Sequence, residues 1–296
     1  MDCSVSIVKG SPATLIEACS DKVYVVDPGH GRKRARQLAK TIKSRGPRET
    51  VFLVTHYHSD HHIALSQGLL EAEGLVGAVV AAPRLDSPAL RDPLLRVTLT
   101  FGYPLPPSSS LTLFDPLPVR VDVELEPPAR LGPLEVLPLP GHTPGQVGVV
   151  AGDGTLYAAD SLFGLKVLER YGAPYHFDPC QALETLEGLL DSLGRYERLQ
   201  PSHGPLVAGG DAFRLVEANI EAVKGLLEGL KGVLREPASL EEASMRLAPA
   251  LRVPPEPPVL LLFQATLRGA LSCLHARGEV EVLQGGYRVR WRAARR

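Results

Sequence analysis

The sequence predicts a layered α/β protein carrying a small C-terminal appendage. Three observations point there. Short apolar, β-branched runs alternate with charged amphipathic segments over residues 1–236, the signature of mixed strands and helices. Several of these runs end in polar loops that carry histidine or aspartate. Residues 237–296 then change character, reading as two helices and a hairpin.

The elements follow in order. Val5–Val8, Thr14–Glu17 and Val23–Val26 read as strands, and Arg32–Ser44 as a charged surface helix stopped by Gly46-Pro47. Thr50–Val54 is a buried strand, His62–Gly74 a helix with Leu65, Leu69 and Leu70 on one face, and Val76–Ala82 another strand. Prolines break residues 83–118, leaving an extended excursion with one short helix near Ala89–Arg96. Strands return at Arg120–Leu125, Leu134–Leu139, Gln146–Ala151 and Thr155–Ala159, with Gly152-Asp153-Gly154 as a hairpin turn. Gln181–Leu193 reads as a helix, Leu199 as the close of a short strand, and Asp211–Leu234 as a long helix capped by Asp211. Ser239 and Glu242 fit a capping box for the helix over Ser239–Leu247. A second helix over Val259–Arg277 and a hairpin of Glu279–Leu283 and Tyr287–Trp291 complete the outline of a winged helix.

Composition narrows the function. The chain has 296 residues, and at roughly 150 residues per domain this is one large domain plus an appendage. A net charge of −1 speaks against a strongly basic nucleic-acid binder. The cysteines, Cys3, Cys19, Cys180 and Cys273, form no Cys-x-x-Cys pair, so neither a zinc ribbon nor a disulfide-rich scaffold is expected. The N-terminus has no signal-peptide pattern, and apolar runs such as Val259–Phe263 are too short to span a bilayer. A soluble, cytoplasmic protein without membrane contact is expected. One Asn, two Met and 27 Pro suit a thermophilic source, although a GC-rich genome gives part of the same bias.

The chemistry is concentrated at His56-Tyr57-His58-Ser59-Asp60-His61. Four of the nine histidines lie within positions 56–62, far denser than chance. Residues two apart in an extended loop face the same way, so His56 and His58 can hold one ion, while Asp60 and His61 point to an adjacent position. Imidazole nitrogen and carboxylate oxygen suit zinc and its first-row neighbours. His142 in Gly141-His142-Thr143-Pro144-Gly145, Asp160 and His203 each lie where a strand gives way to a loop. Singly each is an ordinary turn residue; in this order after the first cluster they complete a set.

On these residues the sequence resembles the metallo-β-lactamase superfamily over about residues 3–230. The resemblance implies an αββα sandwich and a dinuclear centre. His56, His58 and His142 would hold one ion, and Asp60, His61 and His203 a second, with Asp160 bridging. Two zinc ions are expected, with iron or manganese as alternatives. Asp60 is the expected catalytic residue, able to accept a proton from the nucleophile. Asp27 matches a family position that supports the site, but it also reads as a turn residue. The motif spacing looks most like the glyoxalase II-like branch, so an ester, thioester or lactone is the expected small-molecule substrate. That branch's glutathione-binding residues have no match after Leu234.

Other readings stay open. Superfamily endoribonucleases carry a similar C-terminal outline, and Arg288, Arg290, Arg292, Arg295 and Arg296 interleave with Tyr287 and Trp291. Solvated arginines over one packed Trp are the plainer explanation. A persulfide dioxygenase would use a single iron on His56, His142 and Asp160. A winged-helix DNA-binding regulator is the non-enzyme alternative, and the appendage suits homodimerisation as well. Tyr103, Tyr175 and His176 are expected to contact substrate from two aromatic loops. His62 is expected at a helix start facing solvent, and His30 and His275 in surface or packing roles.

Overall fold

A computed structural model describes residues 3–102, 117–285 and 288–294. Two sheets lie face to face between layers of helices. The first is built from β1 (Ser4–Val8), β2 (Thr14–Ala18), β3 (Lys22–Val26), β4 (Glu49–Leu53), β5 (Val79–Pro83) and β6 (Val123–Leu125), in that spatial order. Its first three strands are antiparallel, and β3 to β6 run parallel. The second sheet has the order β11 (Arg198–Pro201), β10 (Thr155–Ala159), β9 (Val147–Val150), β8 (Leu134–Pro138), β7 (Ala129–Leu131). Only β10 and β11 are parallel there.

Alternation along the strands builds the layers. On β4, Val51 and Leu53 face the second sheet, where they meet Val136, Val149 and Tyr157 in the inter-sheet core. Phe52 and Val54 face outward into a cluster with Leu38 and Ile42 of α1 (Arg32–Lys43). Both faces of β4 are thus covered, which explains its near-continuous apolar sequence.

Helices α2 (Ile63–Ser66), α3 (Leu69–Ala72), α4 (Ser87–Arg91) and α5 (Pro93–Phe101) follow along the first sheet. The single helix expected over His62–Gly74 is split at Gly68, whose φ of 61° interrupts the helical backbone. The short helix expected near Ala89–Arg96 is two helices, because Pro93 starts a new one and Asp92 caps it through Leu94 N and Leu95 N. On the outer side of the second sheet lie α6 (Leu165–Tyr171), α7 (Pro179–Ser192) and α8 (Gly209–Val233). Asp211 lies inside the first turn of α8 and is not its cap.

The C-terminal residues form α9 (Leu240–Ala250), α10 (Pro257–Ala276) and the hairpin β12 (Val280–Gly285) and β13 (Arg288–Ala293). The Ser239–Glu242 capping box is present. One apolar cluster runs across position 236, joining Leu186 of α7 and Leu230 of α8 to Leu247 of α9 and Leu271 of α10. The cysteines, for which no scaffold of disulfides was expected, form two bonds, Cys3–Cys19 and Cys180–Cys273. Their separations of 16 and 93 residues give no sequence cue to the pairing. The second bond ties α7 to α10. By length and composition α10 could cross a membrane, contrary to the reading of its apolar runs. Its inner side, including Phe263, Leu267 and Leu274, is buried in the shared cluster.

Candidate metal centre

The site forms where strands stop. His56 follows β4, His142 follows β8, Asp160 directly follows β10, and His203 follows β11. Asp27 leaves β3 in the same way, and Asp27 and Ala159 have φ values of 52° and 49°. Left-handed backbone at residues other than glycine costs on the order of 1–3 kcal/mol and collects at working sites. Gly141 has φ 125°, and a Cβ there would sit 2.5 Å from the backbone of Ala182 on α7. Only glycine lets the loop carrying His142 lie against that helix.

Two groups of side chains result, with Asp160 between them. In the first, His58 Nδ1 lies 3.1 Å from His56 Nε2 and 2.8 Å from His142 Nε2. In the second, His203 Nε2 is 3.3 Å from Asp60 Oδ2 and 3.3 Å from Asp160 Oδ2. His61 Nε2 is 3.7 Å from Asp60 and 3.5 Å from Asp160 Oδ1. Asp160 Oδ2 also lies 3.5 Å from His142 Nε2. The seven residues expected as ligands are therefore brought together.

Most of the imidazoles are fixed by their other nitrogen, as metal-binding histidines generally are. His61 Nδ1 lies 2.7 Å from Asp27 Oδ2, and His142 Nδ1 lies 2.8 Å from the Tyr175 carbonyl. His203 Nδ1 is 2.6 Å from Ser11 Oγ, and His56 Nδ1 is 3.1 Å from Thr55 Oγ1. Asp27 also accepts from Thr55 N at 2.8 Å and from Thr55 Oγ1 at 2.7 Å. Asp27 is thus a positioning residue and not only a turn residue.

The electrostatics divide the site. Burial, aided by neighbouring imidazoles, holds His56 and His142 well below the ordinary histidine range, and burial takes His58 down to about 4. Burial also opposes charge on His61, but Asp27, Asp60 and Asp160 outweigh it and hold the ring well above that range. Burial is likewise outweighed at His203, where Asp160 and Asp60 push the pKa up to about 10. Burial resists ionisation of Asp60 and Asp160, yet the imidazoles of His61 and His203 hold both well below the usual carboxylate range.

This donor set fits divalent metal. His61 Nε2 and Asp160 Oδ1, which face each other at the centre, are buried without a hydrogen-bond partner, a costly arrangement in a protein interior. Three neutral imidazole nitrogens crowd together in the first group, and two ionised carboxylates face the second. Cations placed between these atoms would satisfy both groups at once.

Three further side chains hold the loops in register and carried no sequence signal of their role. Asp86, buried, accepts from Tyr57 N at 3.1 Å, Thr143 Oγ1 at 2.6 Å and Gly145 N at 2.8 Å, joining the two histidine loops. Burial pushes its carboxyl up to about 6. The only local cue, Asp86-Ser87-Pro88, suggests a helix start. Gln146 accepts from Asp160 N at 3.3 Å and donates to Ser161 Oγ at 2.8 Å. Tyr157 places its hydroxyl 3.1 Å from Asp27 Oδ2.

A cavity of about 540 Å³ opens over the centre, with His58, Asp60, His142, Asp160 and His203 on its floor. Tyr175, expected to contact substrate, lines it. His176 does not line it: its neighbour in an extended stretch faces the cavity, so its own ring turns inward, 5.8 Å from that of His142. Tyr103 lies outside the described residues. His62 was expected in solvent but is fully buried, its Nε2 3.2 Å from the Tyr57 carbonyl. The turn Ser59–His61 precedes it and rotates it inward. His30 is exposed at the cavity wall, and His275 packs on Trp291.

With the geometry in place, comparison with known proteins identifies the family. Residues 7–202 match the model of the metallo-beta-lactamase superfamily. The chain belongs to that superfamily. A hydroxyacylglutathione hydrolase of Cupriavidus taiwanensis is 31% identical over 224 residues, 68% of this chain and 69% of that protein. Another from Methylobacillus flagellatus is 33% identical over 140 residues, so the chain spans only 43% of its length. A metallo-beta-lactamase family protein from Thermus thermophilus superposes with a TM-score of 0.68 at 22% identity, covering 98% of each chain. A metallo-beta-lactamase from Pontibacter korlensis covers 75% of this chain and 94% of its own, with a TM-score of 0.51 at 19% identity. The superfamily sandwich is the fold of this chain, and its His/Asp cluster is the place for divalent metal.

Proposed function

We propose that this superfamily member is a metal-dependent hydrolase of an ester, thioester or lactone, with two zinc ions at the strand ends. His56, His58 and His142 would hold one ion, Asp60, His61 and His203 the other, and Asp160 both. The observation that carries this reading is the convergence of two donor groups on one shared carboxylate at the floor of a cavity. The relatives named hydroxyacylglutathione hydrolase support the thioester class.

When bound, the ions supply Lewis acidity that acidifies a water and polarises a carbonyl. The chain does the rest. Asp60 reaches the cavity, where its carboxylate would accept the proton that the attacking water gives up. Water oxygen adds to the acyl carbon, the bond to sulfur or oxygen breaks, and the leaving group takes a proton to become a thiol or alcohol. Asp27 and the Tyr175 carbonyl keep the rings of His61 and His142 aimed at the centre.

Among the described side chains of the C-terminal hairpin, nothing favours the ribonuclease reading. Arg292 lies 2.7 Å from Glu281 and Arg290 3.8 Å from Glu242, so both arginines face carboxylates. Tyr287, Arg295 and Arg296 lie outside the described residues. Elemental mass spectrometry on protein purified without added metal, with a panel of thioesters, lactones and RNA, tests the proposal. About two zinc per chain with thioester or lactone hydrolysis is expected. One iron per chain with no hydrolysis, and oxygen uptake on a persulfide, would refute it.

A further inference from the structure

The wall of the cavity opposite the metal centre differs chemically from its floor. One side of it comes from two helices that present apolar side chains at helical spacing, while Ser11 and His30 lie elsewhere on the lining. Val259, Leu262 and Phe263 lie on one face of α10, and Val167 and Tyr171 on one face of α6. Val259, Leu262 and Val167 remain partly exposed within the cavity. Apolar surface left open beside a reaction centre is stabilised when an apolar group covers it.

The charged side chains of the lining away from the floor do not suit a polyanion. Glu256, at the start of α10, is a carboxylate. Arg96 is buried with its guanidinium turned to the carbonyls of Ala89 and Leu90 and to Ser59 Oγ. No lysine lines the cavity among the described residues. A glutathionyl arm, with two carboxylates, or an RNA backbone would meet Glu256 and a hydrocarbon surface there.

We infer that the substrate carries an uncharged, apolar acyl arm of several methylenes, seated between α6 and α10, with Val259 and Leu262 selecting for it. This rests on the hydrolase reading and names the substrate class of the same site. The chain between Val253 and Val259 also fits the role. Its prolines start α10 abruptly, with Glu256 as the residue before the first turn, so the wall is rigid at the place where an arm would lie.

The test is a series of thioesters from acetyl to octanoyl sharing one neutral thiol, with S-lactoylglutathione as the charged comparator. Burial of each methylene predicts a rise of about fourfold in kcat/KM per carbon until the cavity fills. Leu262→Gln, which leaves a part-exposed position polar, is expected to reduce the octanoyl-to-acetyl preference about tenfold or more. Val167→Gln provides a second, independent change on α6, and circular dichroism checks the fold of both. In parallel, calorimetric titration of the product carboxylates, acetate to octanoate, reads the arm site without turnover.

Hydrolysis with a flat chain-length profile, or with S-lactoylglutathione preferred, overturns the inference and leaves the hydrolase reading intact. Hydrolysis of no ester, with octanoate still binding more tightly than acetate, overturns the hydrolase reading and keeps the apolar site. Unchanged preference in both glutamine variants removes α6 and α10 from the role assigned to them.

Discussion

Replacing Asp27 by Asn isolates what a single buried charge does for the centre. The shape of the side chain is kept, and Asn tolerates the left-handed backbone at φ 52°. Asp27 Oδ1 accepts from Thr55 N, a bond that the Asn oxygen preserves. The amide nitrogen then stands where Oδ2 stood, facing Thr55 Oγ1, Tyr157 OH and His61 Nδ1. The two hydroxyls can rotate to accept from it, since Tyr157 has the Ala13 carbonyl, at 2.8 Å, as an alternative acceptor. His61 cannot rotate its proton. To accept at Nδ1 it must carry the proton on Nε2, the nitrogen that faces Asp60 and Asp160.

A protonated Nε2 cannot bind metal, so the variant must choose between a clash of donors and the wrong tautomer. Loss of such a supporting partner typically costs ten- to a hundredfold in metal affinity, about 1.4–2.7 kcal/mol. On the proposed dinuclear reading, the effect should fall on the ion that Asp60, His61 and His203 would hold. The ion at His56, His58 and His142 should bind nearly as before. Competition against a chromophoric chelator at pH 7 resolves the two sites. If Asp27→Asn bound both ions within twofold of wild type, with the fold unchanged, the assigned role of Asp27 would be wrong.

Other outcomes follow from the same geometry. Asp60→Ala and His142→Ala should each lower the hydrolytic rate by orders of magnitude while circular dichroism stays native; full activity in both would reject the metal mechanism. Gly141→Ala should destabilise the protein by about 2–4 kcal/mol, read as a lower denaturation midpoint, because its Cβ has no room against Ala182. In metal-free protein the pKa of His203 is raised to about 10, against an ordinary value of 6.5, so its ion pairing with Asp160 and Asp60 stabilises fully below about pH 6.5 and is lost as pH rises through 10. Metal must displace that proton and also the one held on His61, so affinity at the second site should rise by more than about tenfold per pH unit above pH 7, with release of more than one proton measurable by calorimetry in buffers of different ionisation heat. Cys180→Ser with Cys273→Ser should cost about 2–4 kcal/mol of stability, since the bond closes a 93-residue separation; a denaturation midpoint that reductant leaves unchanged in the native protein would contradict this.

The site was legible because its chemistry is local and dense. His56, His58, Asp60 and His61 lie within six positions, a donor density that points to an ion whatever the fold, and the remaining three candidate ligands sit at strand ends that apolar runs reveal. What escaped depends on contacts across long separations or on rotation of a few tens of degrees. Asp86 acts through Thr143 and Gly145, nearly sixty positions away, and nothing near it in sequence shows this. His62 and His176 were misplaced because one short turn or one step along an extended stretch reverses a side chain. Gly68 split a helix whose apolar spacing reads as continuous, and the pairing of cysteines 93 residues apart is purely a tertiary fact. The Ser239–Glu242 box, by contrast, is a contact between near neighbours, and it was readable.

The division between floor and wall also explains how one sandwich serves different substrates. The floor is set by backbone: strands that stop at one end, two left-handed residues other than glycine, and a glycine that lets the loop of His142 lie on α7. Side chains in that position can change little without losing the donor geometry. The wall comes from α6 and α10, which contribute no donor to the centre. The Pontibacter korlensis structure leaves a quarter of this chain without a counterpart, whereas the Thermus thermophilus structure covers 98% of it and therefore reaches into the C-terminal helices. A protein that keeps the floor and changes the wall keeps the reaction and changes what is admitted to it. In this chain the wall is fastened to the floor by the Cys180–Cys273 bond, by the shared cluster around Leu271, and by Arg268, which donates to the Phe101 carbonyl at 2.7 Å. Substitutions on the outer turns of α10 should therefore move substrate preference through the cavity shape while leaving metal affinity where it was, and that separation is measurable on the same set of variants.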